Sequence, residues 1–329
     1  MAEIVLGIGT SHTPLLTFEA GQWADYATRD RRERKLNLAD GRWLFYDELI
    51  AERGEPHGAV AVEAEFRRKA AACQAALDRL AGEIAAAAPD VVVIITDDES
   101  ELFSRANTPA VAIYYGPEIL THPRARAEMP PEWVAPMLKT YGMDKVHAFP
   151  AQPEFARELI ERLIDKGIDI GAAASVEDPE RAGFGHGVGF VVNRLFGGKR
   201  IPVIPVLLNT YFPPNTPTPA RCYAIGEALG AAIRESPAAL RVIVLASGGL
   251  SHFLVEEALD RRVIEGLCGS PETLRTLPVP ALNSGSSEIR NWIALGGAIA
   301  GMKNRWIEYQ PLIRTPAGTG IGVAFGAWG

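Results

Sequence analysis

Short runs of β-branched and aliphatic residues recur along this chain and alternate with longer segments of helical periodicity. The runs at 4–8, 91–95, 110–114, 168–174, 201–208, 241–247 and 321–326 read as strands, and runs apolar at nearly every position belong to strands covered on both faces. Segments 64–88, 153–166, 218–235, 254–267 and 287–302 carry apolar positions at spacings of about three to four residues and read as helices. The alternation predicts an α/β fold, with a mostly parallel or mixed central sheet flanked by helices on both faces. Residues 13–60 break the rhythm: Trp23, Trp43, Phe45 and Tyr46 stand among charges and glycines. This stretch predicts a long, lid-like excursion with short helices. No repeat period or low-complexity linker divides the chain, which points to one domain over 1–329.

Composition narrows the function classes. The chain has 329 residues, 47% hydrophobic and 22% charged, enough to bury a large core. A net charge of -7 and a pI near 5.5 argue against a nucleic-acid surface, which needs clustered cations. The basic cluster from Arg29 to Lys35 is interrupted by Asp30 and Glu33 and reads as a solvated helix or loop. Cys73, Cys222 and Cys268 are odd in number and lack Cys-x-x-Cys spacing, so neither a disulfide framework nor a zinc knuckle is expected. No signal-peptide order opens the chain, and no run reaches the roughly 18 apolar residues of a membrane span. The expected location is a reducing cytoplasm.

The strand ends carry the chemistry. The first strand runs into His12, the second into Asp97, Asp98 and Glu99, and the run at 241–247 into Gly248-Gly249-Leu250-Ser251-His252. Ligands in open α/β sheets bind beyond the carboxyl ends of the strands, so these residues can converge on one site. A neutral imidazole at His12 suits a metal, and a satisfied core histidine is the bland alternative. His186 lies between two glycines, which suggests a ring exposed on a flexible turn, while His57, His122 and His147 read as surface residues. Consecutive carboxylates after a buried strand repel one another unless a cation, an Arg or water offsets them. Glu288 opens a helix, where the dipole favours an acid anyway; from the residues alone it reads as a helix-terminal charge.

Taken together, the motifs resemble the class III extradiol dioxygenase superfamily, the protocatechuate 4,5-dioxygenase β-subunit type, and within it the single-chain 3-O-methylgallate dioxygenases. The resemblance rests on Gly-Ile-Gly-Thr-Ser-His-Thr-Pro at 7–14, Pro-Asp-Val-Val-Val-Ile-Ile-Thr-Asp-Asp at 89–98 and Gly-His-Gly at 185–187. It continues through Asn-Thr-Tyr-Phe-Pro-Pro at 209–214, Arg221-Cys222, Ser-Gly-Gly-Leu-Ser-His at 247–252 and Gly-Ser-Ser-Glu-Ile-Arg-Asn-Trp at 285–292. It implies a catalytic domain in which a mononuclear non-haem Fe(II) is held by His12, Glu288 and a third ligand, with open positions for a catechol and O2. It further implies His252 as acid/base, His186 in the substrate pocket, a small aromatic acid as substrate and a homodimer.

The chain also departs from the family. Asp97-Asp98-Glu99 stands where the family carries Asn-Asp-His, so Glu99 occupies the place of the second histidine ligand, with Asp98 and His57 as alternatives. One histidine and two carboxylates neutralise a divalent ion and make Mn or Zn more competitive. That motivates a second reading, a metal-dependent hydrolase or lyase on the same fold. A third reading is a subunit that has lost its site, which retention of His12, His186, His252 and Glu288 opposes. Near the C-terminus, Pro316-Ala317-Gly318-Thr319 lacks the polar Ser-Asn pair of the protocatechuate enzyme, which argues against protocatechuate itself.

Overall fold

The continuously apolar runs become the strands of a nine-stranded mixed sheet. The computed structural model describes residues 1–32, 36–124 and 131–329; Glu33 to Lys35 of the basic cluster and residues 125–130 lie outside the described residues. In chain order the strands are β1 (Glu3–Thr10), β2 (Val91–Asp97), β3 (Val111–Tyr114), β4 (Gly171–Ala173) and β5 (Val203–Leu208). They continue as β6 (Arg241–Ser247), β7 (His252–Leu254), β8 (Asn304–Ile313) and β9 (Thr319–Trp328). The order across the sheet is β7-β9-β1-β6-β2-β5-β3-β4, with β8 on the other edge of β9. At the centre β1, β6, β2 and β5 run parallel. β3 runs antiparallel to β5, and β9 antiparallel to β1, β7 and β8.

Side chains alternate across a strand. Val91, Val93 and Ile95 therefore join one core layer, while Val92 and Ile94 join the other. All five are at most 1% exposed, and each such burial contributes about 1.5–3 kcal/mol. The helices that cover the two faces are α1 (Glu63–Ala87), α2 (Pro153–Asp165), α3 (His186–Leu195), α4 (Pro219–Glu235), α5 (Glu257–Leu267) and α6 (Ile289–Ala298). Apolar side chains of α2, α4, α5 and α6 belong to the first layer, and those of α1 and α3 to the second. Among the described residues no helix is long and apolar enough to cross a membrane.

Several details differ from the sequence expectation. β8 was not expected; Pro311 interrupts its reading, and proline is tolerated because β8 pairs with β9 alone, at an edge. Residue 254 belongs to a strand and not to a helix, because His252–Leu254 pairs with Thr319–Ile321 of β9, and α5 starts only at Glu257. His186 is not on an exposed turn: it is the first residue of α3 and is 7% exposed.

The 13–60 excursion folds as short helices and a small hairpin of Leu36–Asn37 with Trp43–Leu44. It anchors itself through a satellite core in which Leu36, Leu38, Tyr46 and Leu49 pack against Leu254 and Ala317. Those partners sit where β7 ends and just before β9 begins.

Candidate active site

The parallel strands direct their carboxyl ends to one edge of the sheet, and the side chains just past those ends meet there. Ser11 fixes the turn after β1, its N–H donating to Ala324 O and its Oγ accepting from Ala324 N–H, each at 3.0 Å. His12 follows. Its Nδ1 lies 2.9 Å from Ser247 Oγ at the end of β6, while its Nε2 is buried, lacks a hydrogen-bond partner among the described residues and lies 3.6 Å from Glu288 Oε2. Burial, with His186 nearby, lowers the ring's pKa from 6.5 to about 3. His12 is therefore a neutral imidazole at ordinary pH, and the tautomer with Nδ1–H on Ser247 leaves a lone pair on Nε2.

Glu288 closes the tight turn Ser284–Glu288 that leads into α6. Its Oε2 accepts the Gly249 N–H at 2.6 Å, and its Oε1 accepts the Tyr211 hydroxyl at 2.8 Å and faces His252 Nε2 at 3.2 Å. Burial alone would raise its pKa, but His252, His12 and the Gly249 N–H outweigh it and hold the carboxyl below the usual range.

The His252 ring is locked from several directions. Its Nδ1 lies 2.7 Å from Leu250 O, a group that can only accept, so Nδ1 carries a proton and Nε2 is where a second one can come and go. The backbone of His252 bonds to Ser286 Oγ through both its N–H and its carbonyl, at 2.9 and 3.1 Å. The preceding Ser251 donates its N–H and its hydroxyl to buried Asp260, both at 2.8 Å. Gly285 lets the ring pack this closely, since a Cβ there would fall on His252.

The acidic run after β2 divides its labour. Asp97 Oδ1 accepts from Asn291 Nδ2 at 3.1 Å, while Oδ2 is buried with no hydrogen-bond partner among the described residues. Burial and the neighbouring Glu288 push its pKa well up. Asp98, one of the alternatives for the third ligand, spends its oxygens on the backbone N–H groups of Glu101, Leu102 and Phe103. His57, the other alternative, lies against Gly318 and is not in the cavity wall. Ligand atoms of His12, Asp97 and Glu288 lie within 4.8 Å of one another; Asp97, Glu99 and His186 form a second such group. Glu99 therefore reaches the site, but beside His186.

The sequence reading missed Glu101. Its Oε1 lies 2.9 Å from His186 Nδ1 and 3.4 Å from Arg124 Nη1, and Gly185 is required because a Cβ there would fall on the Glu101 carboxyl. Burial opposes charging His186, yet the Glu101 carboxylate wins and raises the ring from 6.5 to about 10. Burial likewise opposes ionising Glu101, but His186 and Arg124 bring it from 4.5 to about 2. A group whose pKa is higher in the folded state stabilises the fold while it is protonated. The raised His186 pKa contributes stability that is complete below pH 6.5 and is lost as pH rises toward about 10. In the metal-free protein the denaturation midpoint is expected to fall across that window. Glu101→Gln is expected to flatten the slope, because burial then keeps the ring neutral throughout it. A wild-type midpoint constant over the window would contradict the pairing.

His12, Glu99, His186, Tyr211, His252 and Glu288 line a cavity of about 170 Å³, walled also by Pro14, Tyr26, Tyr141, Phe253, Arg314 and Ile321. Tyr26 and Pro14 come from the excursion, which thus forms part of the cavity.

Comparison with known proteins gives the same direction. The profile of the family described as the catalytic LigB subunit of aromatic ring-opening dioxygenase matches residues 56–323. A 2,3-dihydroxyphenylpropionate/2,3-dihydroxicinnamic acid 1,2-dioxygenase of Mycobacterium ulcerans is 28% identical over 263 residues, 79% of this chain and 60% of that protein. A protein of the same name from Mycolicibacterium paratuberculosis is 35% identical over 127 residues, 38% of each chain. One from Comamonas testosteroni is 34% identical over 101 residues, 30% of this chain and 29% of its own. The chain thus spans at most 60% of the length of these relatives.

Proposed function

The chain belongs to the family of catalytic LigB subunits of aromatic ring-opening dioxygenases, and from that premise we propose that it cleaves the ring of a catechol-type aromatic acid with O2 at a mononuclear Fe(II). Candidate substrates are gallate, methylgallate and protocatechuate derivatives, together with the dihydroxyphenylpropionates for which the relatives are named. The carrying observation is the grouping of ligand atoms of His12, Asp97 and Glu288 within 4.8 Å, next to the Nε2 of His252, where His12 and Asp97 each keep a buried atom with no hydrogen-bond partner among the described residues.

The donor set fits a divalent cation. Two carboxylates with oxygens within 4.8 Å of each other repel by about 3 kcal/mol or more at an effective dielectric constant of about 20. Without a cation Asp97 answers by keeping its proton; a cation would displace it. His12, Glu288 and Asp97 would hold the ion. Glu99, which occupies the family's second histidine position, stands beside them with His186. When bound, Fe(II) supplies Lewis acidity toward the two catechol oxygens and the one-electron chemistry that lets O2 react.

The remaining groups act on protons, charge and position. His252 Nε2 accepts a proton from a substrate hydroxyl and returns it to the opening ring, a role suited to an imidazole whose Nδ1 is fixed on Leu250 O. Charged His186, held by Glu101, faces the cavity and offsets the negative charge that builds on the substrate oxygens. Tyr211 O–H and Gly249 N–H orient the Glu288 carboxylate. Tyr26, Tyr141 and Phe253 supply aromatic walls, and the excursion limits the access of water. A single catalytic domain, a homodimeric state and a cytoplasmic location complete the proposal.

The test is anaerobic loading with Fe(II) followed by O2 uptake over the panel of dihydroxylated aromatic acids named above. At least one is expected to consume O2 and yield an absorbing ring-opened product; no uptake with any of them overturns the proposal. The ligand set of one histidine and two carboxylates keeps the hydrolase or lyase reading in play. Stoichiometric zinc with an O2-independent activity would favour that reading.

A further inference from the structure

Arg314 follows β8 and lines the cavity, yet its side chain is only 2% exposed. Its Nε and Nη2 donate to the two oxygens of buried Asp30 at 2.6 and 2.9 Å. Its backbone N–H donates to Thr319 O at 2.8 Å, and its guanidinium lies 5.2 Å from the centre of the Tyr26 ring. The side-on pairing with Asp30 leaves Nη1 over, and among the described residues Nη1 has no hydrogen-bond acceptor. Arginine cannot shed its charge when buried, so a spare guanidinium edge in a cavity wall asks for an acceptor. Asp30 fixes the orientation of the planar group in advance, so little freedom is lost when an acceptor arrives.

The rest of the cavity shows what kind of acceptor belongs there. The imidazole of His12 and the carboxylates of Asp97 and Glu288 already form a group suited to a cation. Tyr26, Pro14, Phe253 and Ile321 give apolar and aromatic wall. The cavity thus combines a place for ring oxygens, an aromatic slot and a positioned cation. We infer that Arg314, held by Asp30, binds the carboxylate carried by the aromatic substrate and so selects acids over neutral catechols. The inference rests on the ring-cleavage reading for the identity of the substrate, but the carboxylate site can be tested without it. Asp30 reaches the site from the excursion, so that segment helps to set specificity as well as covering the cavity.

The probes are benzoate, phenylacetate and 3-phenylpropionate, each paired with its neutral amide and titrated calorimetrically into the full chain. None has ring oxygens for a metal, so binding does not depend on turnover. At least one acid is expected to bind about 10- to 100-fold more tightly than its amide, the range of a charge-assisted hydrogen bond, and the best acid reports the length of the substrate's side chain. The double variant Asp30→Leu/Arg314→Met, which leaves no lone buried charge, is expected to bind acid and amide equally. Acids no better than amides in the wild type, no binding of any probe, or a preference that survives in the double variant would overturn the assignment. Discrimination among these probes without O2 uptake on any catechol would instead keep the anion site and reject ring cleavage.

Discussion

Glu288→Gln is expected to abolish stoichiometric metal binding and to lower ring-cleavage activity by roughly a thousandfold or more, the several kcal/mol that a Lewis-acid ion supplies. The substitution keeps the size of the side chain and its acceptor for the Tyr211 hydroxyl. The fold should survive with a lower melting temperature, because one amide oxygen cannot serve both the Tyr211 hydroxyl and the Gly249 N–H and the carboxylate's attraction to His252 and His12 is lost. Asp97→Asn should behave similarly, since its Oδ2, like His12 Nε2, is a buried atom of the cluster's residues with no partner among the described residues. Glu99→Gln is expected to cost about tenfold or less, because a group beside the ligands tunes an ion and does not hold it. Metal analysis and kcat/KM for the three variants check the ranking. Equal loss on Glu99→Gln and survival of Asp97→Asn would transfer the third ligand to Glu99.

The largest expected effect on stability comes from the other end of the cavity wall. Arg314→Met strands the Asp30 carboxylate, which is 1% exposed and has no other charged partner among the described residues. Breaking a buried pair from one side costs about 3–5 kcal/mol, whereas replacing both partners by apolar groups of similar size is close to neutral. Urea denaturation of Arg314→Met should therefore show a large loss, and the double variant Asp30→Leu/Arg314→Met should recover most of it. A single variant as stable as the double would show that the pair does not hold the excursion to the sheet.

Much of the sheet could be read from the chain because it obeys a local rule. Residues 91–95 and 242–246 are apolar without interruption, and only strands covered on both faces tolerate that. Their ends also announced His12, the acidic run and His252, since chemistry past a carboxyl end is a topological consequence of the fold. The failures were non-local. β8 contains Trp306, Tyr309 and Pro311 in a half-buried pattern, and its place is decided by β9, which follows it. His186 looked exposed because glycines flank it, whereas Gly185 is there to admit Glu101, a residue 85 positions away from His186.

The candidate site followed the same division. Glu288 read as a helix-terminal acid, and the resemblance alone raised it to a ligand. Its geometry now supports that role through Gly249, Tyr211 and His252, all remote in sequence. Asp97 is hidden by the motif: Glu99 stands at the histidine position, while the strand's last residue brings a ligand atom within 4.8 Å of those of His12 and Glu288. Asp30 and Arg314 are 284 positions apart, and no spacing rule connects them.

The central claim is one cation shared by His12 and Glu288 within reach of a catechol's oxygens. Its most direct test is an anomalous-difference map, at the iron edge, from crystals of the full chain grown anaerobically with Fe(II). The account predicts one strong peak bonded to His12 Nε2 and the Glu288 carboxylate, with Asp97 as the third protein ligand. Iron bound elsewhere, or no peak between His12 and Glu288 in crystals that take up the metal, would contradict it.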